Sequence, residues 1–235
     1  MVTPLLALED VHTFIGQFHI LEGVSLTVPE GQVTVLLGRN GAGKTTTLRS
    51  IMGLSPARHG RILWQGQPIQ ALPAHAIARL GIGYVPEDRI VFGDLTVEEN
   101  LRLAERAKGD LARHADLIFG LFPDLKRLIH LRGAQLSGGQ QQMLAIARAL
   151  VPDNRLLLID EPTKGLAPVL VESLMATIRR LSEHITVLLV EQNLLLAAEV
   201  GDTCFILEQG HTVYSGHMAE LVNDKATVLR YLGAG

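Results

Sequence analysis

The chain has 235 residues, of which 47% are hydrophobic and 19% charged, with a formal net charge of −3. That length suits one domain with a substantial core, and the composition excludes an intrinsically disordered chain. The mildly acidic balance argues against bulk nucleic acid or an anionic bilayer as a partner. The single cysteine, Cys204, excludes an internal disulfide and fits a reducing compartment.

The first ten residues carry Glu9 and Asp10 where a secretory leader would carry basic side chains. Apolar runs predict strands over 5–8 and 21–28, a turn at Pro29-Glu30-Gly31 and a buried strand over 33–37. A glycine-rich segment, 38–46, follows directly, and a helix over 47–52 is stopped by Gly53 and Pro56. Strands over 61–64 and 82–85 flank a helix over about 74–80. At Thr96-Val97-Glu98-Glu99, a capping box, helical spacing takes over and runs to residue 150, with interruptions near Gly109, Pro123 and Gly133. Strands return over 155–159, 186–190, 204–207 and 212–214, with helices between the first three.

Nearly continuous aliphatic strands alternating with helices predict an α/β fold whose mostly parallel sheet is covered on both faces. The helical stretch reads as an insertion. This gives one domain over 1–235, with a core over 1–86 and 154–235 and a helical subdomain over about 87–153. The most apolar runs, 33–37, 156–159 and 187–190, are strand-sized and fall well short of the roughly 20 residues of a spanning helix. The expectation is a cytoplasmic chain that reaches a membrane only through a partner.

Gly38-Arg39-Asn40-Gly41-Ala42-Gly43-Lys44-Thr45 satisfies the P-loop pattern between a strand and a helix. Glycines let the backbone N–H groups of Gly38, Asn40, Gly41, Ala42, Gly43 and Thr46 turn inward around phosphate oxygens. Lys44 supplies a charge to the β- and γ-phosphates, and the Thr45 hydroxyl is a ligand for Mg²⁺. ATP and Mg²⁺ are therefore the expected cofactors. The apolar run Leu156-Leu157-Leu158-Ile159 ends in Asp160-Glu161. Asp160 at the sheet edge would hold Mg²⁺ through water. Glu161, on the opposite side by strand alternation, would act as general base toward the attacking water.

Leu136-Ser137-Gly138-Gly139-Gln140 opens a strong helix. Ser137 and Gln140 form a capping box, while two glycines in a first turn weaken a helix. A bare helix N-terminus is an anion site, and the P-loop nucleotide is already cradled. A phosphate held by another subunit is the natural inference.

These three segments, in this order, resemble the nucleotide-binding domain of ABC ATPases over essentially the whole chain. The resemblance implies a P-loop NTPase core, an N-terminal antiparallel β subdomain and an inserted helical subdomain. It also implies a head-to-tail dimer in which Ser137, Gly138 and Gly139 contact the γ-phosphate held by the partner's Lys44. Glu87, in Tyr84-Val85-Pro86-Glu87, stands where the family has its Q-loop glutamine, and could reach Mg²⁺ through water. Gln192 stands where most members have a switch histidine, and Ala167 replaces the D-loop aspartate. The adenine-stacking position falls on Ile15, with Phe14 or Phe18 as substitutes.

Within the family the chain resembles the shorter ATPase of importers for branched-chain amino acids and their amide and urea relatives. That implies a second ATPase subunit, two transmembrane permeases and, indirectly, a substrate-binding protein. It places the chain peripherally on the inner face of the plasma membrane. Members acting on DNA or the ribosome carry a long coiled coil or two fused cassettes, and this sequence has neither, so no nucleic acid is expected. A P-loop kinase would leave residues 137–140 unexplained. The nine scattered histidines show no metal-type spacing. Trp64, Phe92 and Cys204 read as packing residues, and Lys126, Arg127 and Arg132 as a solvated helix face.

Overall fold

The computed structural model describes residues 3–233; the outermost residues of the single-domain expectation, 1–2 and 234–235, lie outside it. In chain order the first half comprises β1 (Leu6–Ile15), β2 (Phe18–Val28), β3 (Val33–Leu37), α1 (Lys44–Ile51), β4 (Ala57–Trp64), β5 (Gln67–Pro68), α2 (Ala74–Arg79) and β6 (Ile82–Val85). Four helices follow: α3 (Val97–Arg102), α4 (Asp110–Leu121), α5 (Pro123–Arg127) and α6 (Gly138–Leu150). The remainder is β7 (Leu156–Asp160), α7 (Pro168–Leu181), β8 (Thr186–Val190), α8 (Leu194–Val200), β9 (Thr203–Glu208), β10 (His211–His217), α9 (Met218–Asn223) and α10 (Lys225–Tyr231).

A six-stranded sheet in the order β10-β9-β3-β8-β7-β6 is parallel except for the edge strand β10. Its strands read as unbroken aliphatic runs because both faces are covered. In β7, Leu157 and Ile159 enter the core beneath the helices, while Leu156 and Leu158 enter the core beneath the second sheet. The pair Val187 and Leu189 in β8 divides from Leu188 and Val190 in the same way. The second sheet is four-stranded and antiparallel, in the order β2-β1-β4-β5.

The strands of this second sheet extend well beyond the apolar runs that announce them. Paired with β2, β1 carries register shifts after Leu8, Val11 and Thr13, so its inward and outward residues do not alternate cleanly. The helix expected from residue 47 begins at Lys44, with Gly43 as its N-cap in the left-handed region and no side-chain cap. That bare start leaves the first N–H groups of α1 directed at the P-loop rather than at a capping oxygen. Both capping boxes read from the sequence form, Thr96 with Glu99 and Ser137 with Gln140. Helices α9 and α10 at the C-terminal end were not anticipated.

Candidate functional site

Four loops leave the parallel sheet at one edge, which is where ligands bind in such folds. The P-loop leaves β3, Pro86-Glu87 leaves β6, Asp160-Glu161 ends β7 and Glu191-Gln192 leaves β8. A cleft of ≈ 300 Å³ at this edge is lined by Asn40, Gly41, Gly43, Lys44, Thr45, Thr46, Glu87 and Glu161, together with Ile15, Ile20 and Lys164. The loop needs glycine where the fold crowds it. At Gly38 (φ 151°) a Cβ would lie 2.5 Å from the Leu207 carbonyl oxygen, and at Gly43 (φ 107°) 2.8 Å from the Leu21 side chain.

Lys44 is 4% exposed, and its ammonium donates to the carbonyls of Gly38 (2.8 Å) and Arg39 (3.2 Å) while pairing with Glu161 Oε1 at 3.1 Å. The Thr45 hydroxyl donates to Asp160 Oδ1 at 3.2 Å, and the Tyr84 hydroxyl donates to Asp160 Oδ2 at 3.4 Å. Asp160 is fully buried. Burial, reinforced by the nearby Glu161 and Glu87 charges, pushes its carboxyl up to about 6 against the pull of the two hydroxyl donors. Burial beside Asp160 raises the Tyr84 hydroxyl as well.

Asp160 and Glu161 are separated by a backbone reversal rather than by strand alternation. β7 stops at Asp160, and Glu161 sits at φ 41° in the left-handed region. The long Glu161 side chain then reaches back to Lys44, so both carboxylates serve the P-loop side of the cleft. A buried carboxylate and a hydroxyl 3.2 Å apart, without a third acidic or imidazole ligand, suit a hard ion that keeps water and takes phosphate oxygens. Among the described residues no cluster of three or more His, Cys, Asp or Glu side chains could hold a metal ion unaided. Mg²⁺ held jointly with nucleotide phosphates fits this donor set.

Glu87 lines the cleft and pairs with Lys164, whose ammonium lies 2.5 Å from its Oε1. Gln192 is exposed and lies outside the lining of the cleft; its backbone N–H donates to Glu191 Oε2 at 3.2 Å. Ser137, Gly138, Gly139 and Gln140 also lie outside the cleft of their own chain. Part of their need for bare backbone is internal: a Cβ at Gly139 would lie 2.8 Å from Leu170, and one at Gly138 2.6 Å from the Arg89 guanidinium.

Of the three stacking candidates, Phe14 is already engaged and lies outside the lining of the cleft. His19 stacks on it at 4.1 Å and Arg58 lies 4.7 Å from its centroid. Phe18 is exposed and outside the lining, which leaves Ile15 as the candidate that borders the cleft. Trp64 and Cys204 are buried, and burial pushes the Cys204 thiol up to about 11. Phe92 is 43% exposed, with the Arg148 guanidinium 4.8 Å from its ring centre.

Sequence reasoning passed over Lys164, Tyr84 and Glu191. Glu191 is buried, accepts from the Thr163 hydroxyl at 2.7 Å, and has its carboxyl raised by burial. An apolar strand that runs into a single acid was the available signal for it. Among the described residues no helix is long and apolar enough to cross a membrane.

Residues 21–164 match the family model described as ABC transporter. The chain is 40% identical over 232 residues to the high-affinity branched-chain amino acid transport ATP-binding protein BraG of Pseudomonas aeruginosa, covering 97% of this chain and all of that one. It is 38% identical to a probable branched-chain amino acid transport ATP-binding protein, LivF, of Archaeoglobus fulgidus, covering 88% of this chain and 89% of that one. Identity is 36% to the lipopolysaccharide export system ATP-binding protein LptB of Escherichia coli, over 91% of each chain. Among solved structures, the ADP conformation of an ATP-binding cassette of an ABC transporter superposes with a TM-score of 0.84 at 25% identity, covering 98% of this chain and 99% of that one. A nucleotide-free cassette superposes with a TM-score of 0.83 at 25% identity, covering 95% and 97%. With the P-loop cleft, the acidic strand end and these likenesses in agreement, the chain belongs to the ABC transporter family and is an ATP-binding, ATP-hydrolysing subunit of it.

Proposed function

We propose that this chain energises an importer for branched-chain amino acids, as one of two ATPase subunits beneath two membrane-embedded permeases. The observation that carries the substrate class is the 40% identity to BraG, which extends over the full length of that protein. The chemistry is carried by the Lys44, Thr45, Asp160 and Glu161 constellation.

In this reading the N–H groups of residues 38–46 cradle the phosphates, and Lys44 leaves Glu161 for the γ-phosphate. Thr45 and Asp160 would hold Mg²⁺, which would supply charge neutralisation at the nucleotide phosphates. Glu161, released from Lys44, orients a water and takes its proton as the water oxygen bonds to the γ-phosphorus and the bond to ADP breaks. Gln192, outside the cleft in the nucleotide-free chain, swings in to donate its amide N–H to the γ-phosphate; as a neutral amide it shuttles no proton. Positioning and charge stabilisation supply most of the rate.

Residues 137–140, at the start of α6 with Ser137 exposed and outside their own cleft, face the nucleotide of the opposing subunit in a head-to-tail dimer. Their capping box satisfies the N–H groups of Ser137 and Gln140, which leaves those of Gly138 and Gly139 for phosphate. A groove of ≈ 470 Å³, with Leu54, Tyr84, Pro86, Ile90, Arg106 and Arg148 in its walls, joins the Glu87 loop to α6. It suits a permease segment that feels the Glu87 loop move when nucleotide binds. The chain would thus sit peripherally on the cytoplasmic face of the membrane.

Affinity purification of the tagged chain from detergent-solubilised native membranes tests the reading. Two polytopic permeases with a second ATPase are expected, and the companion binding protein should take leucine, isoleucine or valine. Urea or a short amide as its ligand would replace the substrate class. Lipopolysaccharide-export components, or ribosomal and DNA-bound proteins without a permease, would overturn the importer.

A further inference from the structure

Glu161-Pro162-Thr163-Lys164 forms a turn closed by Lys164 N–H donating to the Glu161 carbonyl at 3.2 Å. Its far end is pinned twice. The Thr163 hydroxyl donates to buried Glu191, and the Arg89 guanidinium donates to the Lys164 carbonyl at 3.0 Å. The turn brings the Lys164 side chain back over the carboxylate three residues earlier. Its ammonium lies 2.5 Å from Glu87 Oε1 and 3.9 Å from Glu161 Oε2, while the other oxygen of Glu161 lies 3.1 Å from Lys44. Glu87, Lys164, Glu161 and Lys44 therefore form a line of alternating charge across the cleft, and all four line it.

We propose that Lys164 is a positioning residue of the nucleotide site, neutralising Glu87 and holding Glu161 once an incoming γ-phosphate has taken Lys44. The proposal rests on the ATP-hydrolysing role of Glu161 above. Charge requires such a group. Glu161 and Glu87 line the cleft and buried Asp160 accepts from the lining Thr45, so a triphosphate must enter beside three carboxylates. Lys44 offsets one, and Mg²⁺ would offset Asp160. Without Lys164, the carboxylate of Glu87 would face the γ-phosphate uncompensated. An exposed pair of this kind adds little to folding, since the Lys164 side chain is 57% accessible. Its effect therefore falls on the bound anion, and most strongly on the terminal phosphate.

Calorimetry with ADP and with the non-hydrolysable β,γ-imido analogue of ATP, each with Mg²⁺, separates this role from a structural one. Lys164→Met is expected to weaken the analogue roughly three- to tenfold while ADP affinity holds, with the difference shrinking as salt rises. Lys164→Arg should keep the wild-type ratio. Glu87→Gln added to Lys164→Met should restore analogue affinity, because the uncompensated charge is gone. Equal losses for both nucleotides, or no recovery in the double variant, would overturn the proposal. The readout needs no turnover, so a Glu161→Gln variant that still hydrolysed ATP would sink the catalytic reading separately.

Discussion

At Asp160 folding and chemistry pull in opposite directions. Its carboxyl is pushed up to about 6 when folded, against about 3.9 in an unfolded chain. The folded state thus holds the proton more tightly. The stability contributed is complete below about pH 4 and is lost as pH rises to about 6, a penalty on the order of 2–3 kcal/mol at neutral pH. Asp160→Asn should therefore raise the melting temperature of the nucleotide-free protein at pH 7.5 and leave it nearly unchanged at pH 4, while Mg²⁺-dependent nucleotide binding falls. Thermal scans at the two pH values check this; equal shifts at both would refute it. The motif announced Asp160 as a residue of the site, but not its burial or its bond from Tyr84, because those depend on which strand lies beside β7. Lys164 was invisible for a similar reason. Its neighbour Glu87 is 77 residues away in the chain.

Helix α3 and the loop before it are joined by one side chain. Asn100 is fully buried; its amide donates to the carbonyls of Phe92, Leu95 and Thr96, and its carbonyl accepts from Phe92 N–H. With the amide removed, the three carbonyls keep the N–H groups of Leu95, Gly133 and Asn100 as donors, but Phe92 N–H loses its acceptor and a fully buried side chain leaves a void. Asn100→Ala should cost about 2–3 kcal/mol, read as a lower urea midpoint at unchanged slope. The loop it ties down follows Glu87, so the same change should loosen the link between the cleft and the groove beside α6. Elements with local signals were legible: the aliphatic strands of the parallel sheet and the two capping boxes depend only on neighbours within a few residues. The extensions of β1 and β2 were not, because bulges break their alternation and antiparallel partners supply what the pattern lacks. Helices α9 and α10 are short, and α10 buries no residue completely, so no apolar stripe marks them.

For the whole molecule, the separation of residues 137–140 from the cleft of their own chain makes the head-to-tail dimer the form that would complete a site. Glu161→Gln keeps the side chain's size and hydrogen-bonding reach but removes its basicity. With saturating Mg-ATP it is expected to bind nucleotide without turnover and to show twice the monomer mass by light scattering. A monomer mass under those conditions would contradict pairing of the isolated chain with itself.

By itself the sequence determined the chemistry: the glycine and lysine of the P-loop, the strand ending in two acids and the capped glycine segment are short motifs, each complete within a few residues. Local spacing also set the class of fold, since buried parallel strands must read as unbroken aliphatic runs. Only the tertiary structure decided what those residues meet. The reversal at Glu161 sends its carboxylate to Lys44, Tyr84 and Thr45 divide the oxygens of Asp160 between them, and Lys164 joins Glu87 to Glu161. These contacts span strands and loops far apart in the chain. They follow from strand order and backbone geometry at one sheet edge, which no run of neighbouring residues encodes.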